Sequence, residues 1–260
     1  MAVNAGWTRQ QLLVAFSLYC QMPFGKMHSR NPEIIKYAKL IGRTQSALAM
    51  KLTNIASLDP VITSSGRKGL DGASAADRAM WDEMQRNWED FALESRAVLS
   101  SFGADNEADS GIDASALESA SYEGKNKTAM VAIRMGQGFF RRSVLSAYDN
   151  QCCITGLAMP ELLVASHIVP WRDDEKNRLN PMNGLCLSVM HDKAFDIGII
   201  TISEDMTVKV SRKYLESKNH FFGTALIAYD GKTIAAPKKF HPREEFLAIH
   251  RRRFSEAQCG

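Results

Sequence analysis

Three side chains capable of chemistry fall close together: His167, Asn183 sixteen residues on, and His191 eight residues beyond that. An imidazole with an unperturbed pKa of about 6.5 is neutral and basic at cell pH, so either histidine can take a proton from water or bind a metal ion. The Asn183 amide donates and accepts at once and can tie two chain segments together. Asp192 and Asp196 follow closely and add hard oxygen donors. Each residue also has a plainer explanation. A lone His or Asn is more often a surface or hydrogen-bonded structural residue, and Asp196 can close the turn before Ile199 to Ile202. Taken together they offer a base, donors for a metal ion and a hydrogen-bonding frame, the parts of a metal-assisted hydrolysis.

These residues sit in a longer ordered pattern. It starts at Arg134 as R-M-G-Q-G-F-F-R-R-S-V-L-S-A-Y-D-N-Q-C-C-I-T-G, continues as A-S-H-I-V-P-W and ends as N-P-M-N-G-L-C-L-S-V-M-H-D-K-A-F-D. The pattern resembles the HNH endonucleases, in the branch with R-x-G-Q-x-x-F-R, C-x-x-T-G, S/A-H-I-x-P-W, N-G-L-x-L and H-x-x-x-F-D, and covers about a quarter of the chain. The resemblance implies a two-stranded hairpin and a helix around one metal ion. Leu163 to Val169 is then the first strand, with His167 as general base and Asn183 orienting it from the return loop. His191, on the short helix, is the implied metal ligand. Many relatives carry Asp or His directly before the base, whereas this chain has Ser166, a neutral hydroxyl. Asp196 is expected to meet that deficit, with Asp192, water or substrate phosphate as other donors. Mg2+ is the expected ion, since carboxylate and water oxygens make a hard site, although Mn2+, Ni2+ or Zn2+ can occupy such sites.

The remaining sequence must position this constellation. With 260 residues and 45% hydrophobic content, the chain is long enough for two packed domains. The expected class is α+β: a helical, helix-turn-helix-like domain at 1–102, an acidic flexible linker at 103–127 and the ββα-metal nuclease domain at 128–260. In the first domain, Thr8, Asn31 and Thr44 read as N-caps of three short helices, with Pro23, Gly25 and Gly42 as breaks. Ile34, Ile35, Ala38 and Leu40 form the inward stripe of the second helix. Ser74 opens one long helix whose Met80, Trp81, Met84, Trp88 and Phe91 repeat to about Leu99. The linker is Ala-, Ser-, Gly- and acid-rich and cannot bury enough surface to offset its chain entropy.

Charge is segregated. Between Ser101 and Gly124 lie six acids and no Lys or Arg, while Val208 to Arg253 holds eleven Lys or Arg against four acids. Such a basic end suits a polyanion, or equally a solvated face. The candidate contacts to nucleic acid are Arg43, Gln45, Ser46 and Lys51 around the third helix, Arg141 and Arg142 before the first strand, and Arg251 and Arg252 on an amphipathic final helix from Pro242 to Phe254. The rival for Arg141 and Arg142 is a salt bridge to the acidic linker. Phe246, Ile249 and Phe254 face inward on the final helix, leaving Arg251 to Arg253 exposed.

Five cysteines without a C-x-x-C pair, namely Cys20, Cys152, Cys153, Cys186 and Cys259, read as packed, reduced thiols. No apolar run approaches the roughly 20 residues of a membrane span, and the start MAVNAGWTRQ lacks a secretory layout, so a cytoplasmic protein is expected. The expected function is a DNA endonuclease of restriction or phage defence, with a homodimer if both strands are cut. The alternatives are a catalytically weak DNA-binding or regulatory subunit, which Ser166 favours, and an RNA-directed nuclease.

Overall fold

The computed structural model describes residues 6–64, 72–103 and 127–259. Between its end residues the expected linker, 103–127, lies outside the described residues, as does the Arg134 side chain. The first half is helical: α1 (Arg9–Gln21), α2 (Pro32–Leu40), α3 (Gln45–Ala56), α4 (Pro60–Ser64), α5 (Ala75–Arg86) and α6 (Trp88–Ser101). Local cap chemistry sets the starts. Thr8 and Gln11 form a reciprocal capping box on α1, Asn31 caps Glu33, and Thr44 caps Ala47. Gly42, at a φ of 67°, turns α2 into α3. Ile35, expected inward, is exposed.

The long helix expected from Ser74 is two helices. Asn87 adopts extended backbone angles, and its side chain accepts hydrogen bonds from the amides of Glu89 and Asp90, both at 3.1 Å. A short amide side chain competes well with the helical ladder for backbone donors, so the chain restarts there while its apolar positions stay buried.

The second half begins with α7 (Lys127–Ala147) and runs through β1 (Leu163–His167), β2 (Gly184–Ser188) and α8 (Val189–Asp196). β1 and β2 pair antiparallel, from Leu163 opposite Ser188 to His167 opposite Gly184. A second hairpin, β3 (Ile200–Ile202) with β4 (Val208–Val210), precedes α9 (Arg212–Leu215), α10 (His220–Ala225) and α11 (Glu244–Cys259). This is the expected α+β arrangement, with the hairpin and its following helix forming the ββα unit. Among the described residues no helix is long and apolar enough to cross a membrane.

One hydrophobic cluster runs through both halves. Trp88 of α6 meets Phe240 edge-on at 5.5 Å and Phe139 of α7 at 6.5 Å, and Phe240 also meets Tyr19 of α1 at 5.8 Å. Beside them Lys239 is fully buried. Its Nζ donates to the carbonyls of Cys20 at 2.7 Å, Met22 at 2.9 Å and Tyr19, at the C-terminal end of α1. Those carbonyls have no helical partner, so the lysine acts as a cap delivered from the other half of the chain. Burial pulls its pKa down to about 7, with Cys20 and Asp59 opposing. Replacing Lys239 by Met should strand the Tyr19 and Met22 carbonyls, while Ser146 Oγ keeps that of Cys20, and cost about 3 kcal/mol of unfolding free energy, measurable by urea denaturation. An unchanged midpoint would mean that the halves do not depend on this cap.

Candidate active site

The ββα unit is held by α7, which lies almost on the backbone of the hairpin. A Cβ at Gly184 would stand 2.4 Å from Val144 Cγ2 and 2.9 Å from the Phe140 ring, so only glycine permits the approach. The approach lays Phe140 flat on His167, with ring centroids 3.9 Å apart and planes 8° from parallel. Trp171 meets the same imidazole edge-on at 5.6 Å. His167 Nε2 lies 2.9 Å from the Arg178 carbonyl. A carbonyl can only accept, so this bond places the proton on Nε2 and leaves the neutral ring's lone pair on Nδ1.

Asn183 is fully buried and works as a clamp. Its Oδ1 accepts from the Val169 amide at 2.8 Å, and its Nδ2 donates to the Val169 carbonyl at 3.1 Å and the Asn177 carbonyl at 3.3 Å. Its own carbonyl accepts from Ile168. The side chain therefore takes the backbone groups that would have extended β1, which ends the strand at His167 rather than at Val169 as expected.

His167 and Asp196 line one cleft of about 150 Å³, together with Phe195, His250 and Arg253. Asp192 lies one turn before Asp196 on the same helix, close enough for the two to share a face. His191 is absent from that lining. It is 4% exposed, its Nδ1 lies 2.8 Å from Ser188 Oγ, and its ring meets Tyr229 edge-on at 5.5 Å. Burial lowers its pKa, partly opposed by the Ala225 backbone. Its Nε2 is buried without a hydrogen bond of ordinary geometry, as is Ser166 Oγ. The two metal donors expected from sequence are thus separated: Asp196 shares the cleft with His167, and His191 packs inside. Among the described residues no three His, Cys, Asp or Glu side chains converge into a metal cage. The carboxylate at the cleft is that of Asp196, and a single hard oxygen donor fits an open, water-rich site for a hard divalent ion better than a closed zinc site. Cys20, Cys152, Cys153 and Cys186 are buried free thiols, and burial pushes Cys186 up to about 12.

The expected nucleic-acid contacts divide sharply. Lys51 is buried in an ion pair with Asp77, 2.8 Å to each oxygen, and has no cation to offer a phosphate. Arg43 donates to Gln11 and the Gly6 carbonyl and stacks on Trp7 at 5.0 Å. Arg141 donates to the carbonyls of Leu163 at 2.8 Å and Pro160 at 3.1 Å, and Arg142 to Gln21. Arg251 pairs with Glu244. Gln45, Ser46 and Arg252 are exposed.

Sequence reasoning missed His250 and Phe140 as parts of the site, and grouped Arg253 with Arg251 and Arg252 as exposed arginines suited to a phosphate backbone without placing it at this cleft. Phe140 lies inside the quoted R-x-G-Q-x-x-F-R pattern and could have been flagged there. His250 offered no signal, because nothing local links the last helix to position 167. His250 fixes that helix. Its Nε2 donates to the Phe195 carbonyl at 3.0 Å, Thr201 Oγ1 lies 2.8 Å from Nδ1, and its ring stacks on Phe195 at 3.5 Å.

An antiparallel hairpin with an imidazole at the end of its first strand, a buried Asn clamp on the return and a following helix make up a ββα unit. Residues 152–203, which span this hairpin and α8, match the family model described as HNH endonuclease. No curated protein matches the chain.

The His250 environment has a pH signature. Burial lowers its folded-state pKa from 6.5 to about 4. Between these values the unfolded chain binds a proton that the folded chain refuses, so stability is full above about pH 6.5 and falls as pH drops toward 4. The expected loss is about 3 kcal/mol from this residue. Urea midpoints near neutrality and near pH 4.5 should lie closer together in His250→Gln than in the parent, and an equal gap in the two proteins would refute the assignment.

Proposed function

We propose that this chain is a metal-dependent DNA endonuclease of restriction or phage defence, with His167 as the general base. The observation that carries the reading is the bond from His167 Nε2 to the Arg178 carbonyl, which fixes the orientation of the imidazole in a cleft shared with Asp196. His167 takes the proton of an attacking water, the water oxygen bonds to phosphorus, and the leaving oxygen departs and is protonated from solvent. Phe140 and the Arg178 carbonyl hold the imidazole in plane, and Asn183 holds the loop that carries that carbonyl. Asp196, with Asp192 one turn away on the same helix, would hold a divalent ion, which would supply Lewis acidity for the hydrolysis. Hard oxygen donors favour Mg2+ over Mn2+, Ni2+ or Zn2+.

The helical half serves to hold the target, with α2 and α3 as the helix-turn-helix-like pair and exposed Gln45 and Ser46 at the start of α3 as its groove contacts. Arg43 and Lys51 brace that half instead of touching DNA. A second reading, a catalytically weak DNA-binding subunit, draws on Ser166, whose hydroxyl is buried where a charged donor is common. Plasmid nicking in Mg2+ separates the two, and a matched RNA substrate tests the ribonuclease alternative.

His167→Ala should lower nicking by about a hundred- to ten-thousand-fold with the unfolding midpoint nearly unchanged. Wild-type nicking by that variant would sink the mechanism. The metal donors are told apart by Mg2+ titration. Asp196→Asn should raise the Mg2+ needed for half-maximal rate at least about tenfold, whereas His191→Gln should chiefly lower stability. The reverse order would make His191 the donor.

A further inference from the structure

Three arginines end the basic stretch at the last helix, and the fold sends them to different places. Arg251 and Arg252 line a surface groove that also carries Glu204, Glu245 and Glu256, where acids blunt any pull on a phosphate. Arg253 lines the cleft of His167 and Asp196. Its placement follows from His250: that ring ties α11 to the Phe195 carbonyl of α8, and Arg253 stands three residues on, near one turn away.

The Arg253 guanidinium is paired with Asp173, on the loop that leaves β1. The partners are 41% and 32% exposed, so the pair sits at the solvated mouth of the cleft and costs little to open. Asp173 also lies 3.4 Å from Arg172 Nε, and this second cation remains to it if Arg253 leaves. A guanidinium presents two parallel N–H groups that match two phosphate oxygens, which a lysine cannot do.

We propose that Arg253 is a catalytic residue whose guanidinium exchanges Asp173 for the non-bridging oxygens of the scissile phosphodiester. This rests on the nuclease reading above and adds to it the group that meets the charge gathering on those oxygens as the water attacks. Asp173 stores the cation at the cleft mouth between substrates and keeps Arg172 while it is engaged.

The test uses the full chain with a duplex DNA substrate in Mg2+. Arg253→Ala should lower kcat about a hundredfold and raise KM by only about a fewfold, since the contact is made in the bound complex and strengthens in the transition state. Arg253→Lys should recover part of the loss. Added guanidinium ion should partly restore Arg253→Ala and leave His167→Ala inactive, a rescue that a merely structural arginine would not give. In the His167→Ala background, which binds without cutting, Arg253→Ala should reduce the slope of log affinity against log salt by about one. Wild-type kcat in Arg253→Ala, a raised KM at unchanged kcat, or an unchanged salt slope would each overturn the proposal. Inactive His167→Ala beside fully active Arg253→Ala would reject this inference alone. A wild-type chain that cuts nothing would reject the nuclease reading, and the salt slope would still decide whether Arg253 holds a phosphate.

Discussion

A single methyl group at position 184 would collide with Val144 and Phe140, and the site is built on its absence. Because Gly184 has no side chain, α7 can lie directly on the hairpin. Because α7 lies there, Phe140 covers one face of His167. An imidazole hung from the last residue of a strand has two free torsions and would sample several rotamers in water. Stacking fixes the ring plane, and the Arg178 carbonyl then fixes the rotation within that plane and the tautomer together. The imidazole is thus oriented by one apolar contact and one hydrogen bond, each from a different segment.

The dependence extends outward. The Arg178 carbonyl belongs to a loop whose shape is set by Asn183, Asn180 and Asn177, each bonded to the next or to the backbone between them. Three asparagines suit that task because a short amide both donates and accepts and so substitutes for backbone partners in an irregular segment. On the other side, His250 binds α11 to α8, and Lys239 binds the segment before α11 to the end of α1. The helical half is therefore joined to the nuclease half through a buried cation as well as through aromatic packing. A burial of this kind is stable only while all three ammonium protons have acceptors, which ties the conformation of α1's last turn to that of residues 237 to 243.

What could be read in the sequence was what is local. The starts of α1, α2 and α3 were legible because Thr8, Asn31 and Thr44 act within three residues of themselves, and the places of His167 at the end of β1 and Asn183 before β2 were legible because a family pattern carries their spacing. The break at Asn87 was not, since Met80, Met84, Trp88 and Phe91 keep helical intervals across it and are buried either way. Lys51 shows the same limit for charge: its partner Asp77 lies in another helix, and a residue that looked free to meet a phosphate is paired in the core. Arg253 is the converse, a residue that resembled its two neighbours until the docking of α11 separated them. His191 and Asp196 share one short helix, and which of them faces the cleft depends on a few tens of degrees of helical phase that spacing alone does not fix.

Position 166 gathers these constraints. Alternation along β1 turns Ser166 inward while His167 stands at the edge, and Ser166 is buried opposite Leu185 with its hydroxyl unbonded. A carboxylate in that place would be an uncompensated buried charge whenever no cation was present, at a cost of several kcal/mol. A serine carries a much smaller penalty. The chain thereby keeps the ββα unit stable by itself and leaves charge to the rim, where Asp196 and the Arg253–Asp173 pair are solvated. Under the proposed function, such a division lets the folded frame exist independently of metal and substrate, and makes the assembly of the charged site an event of binding.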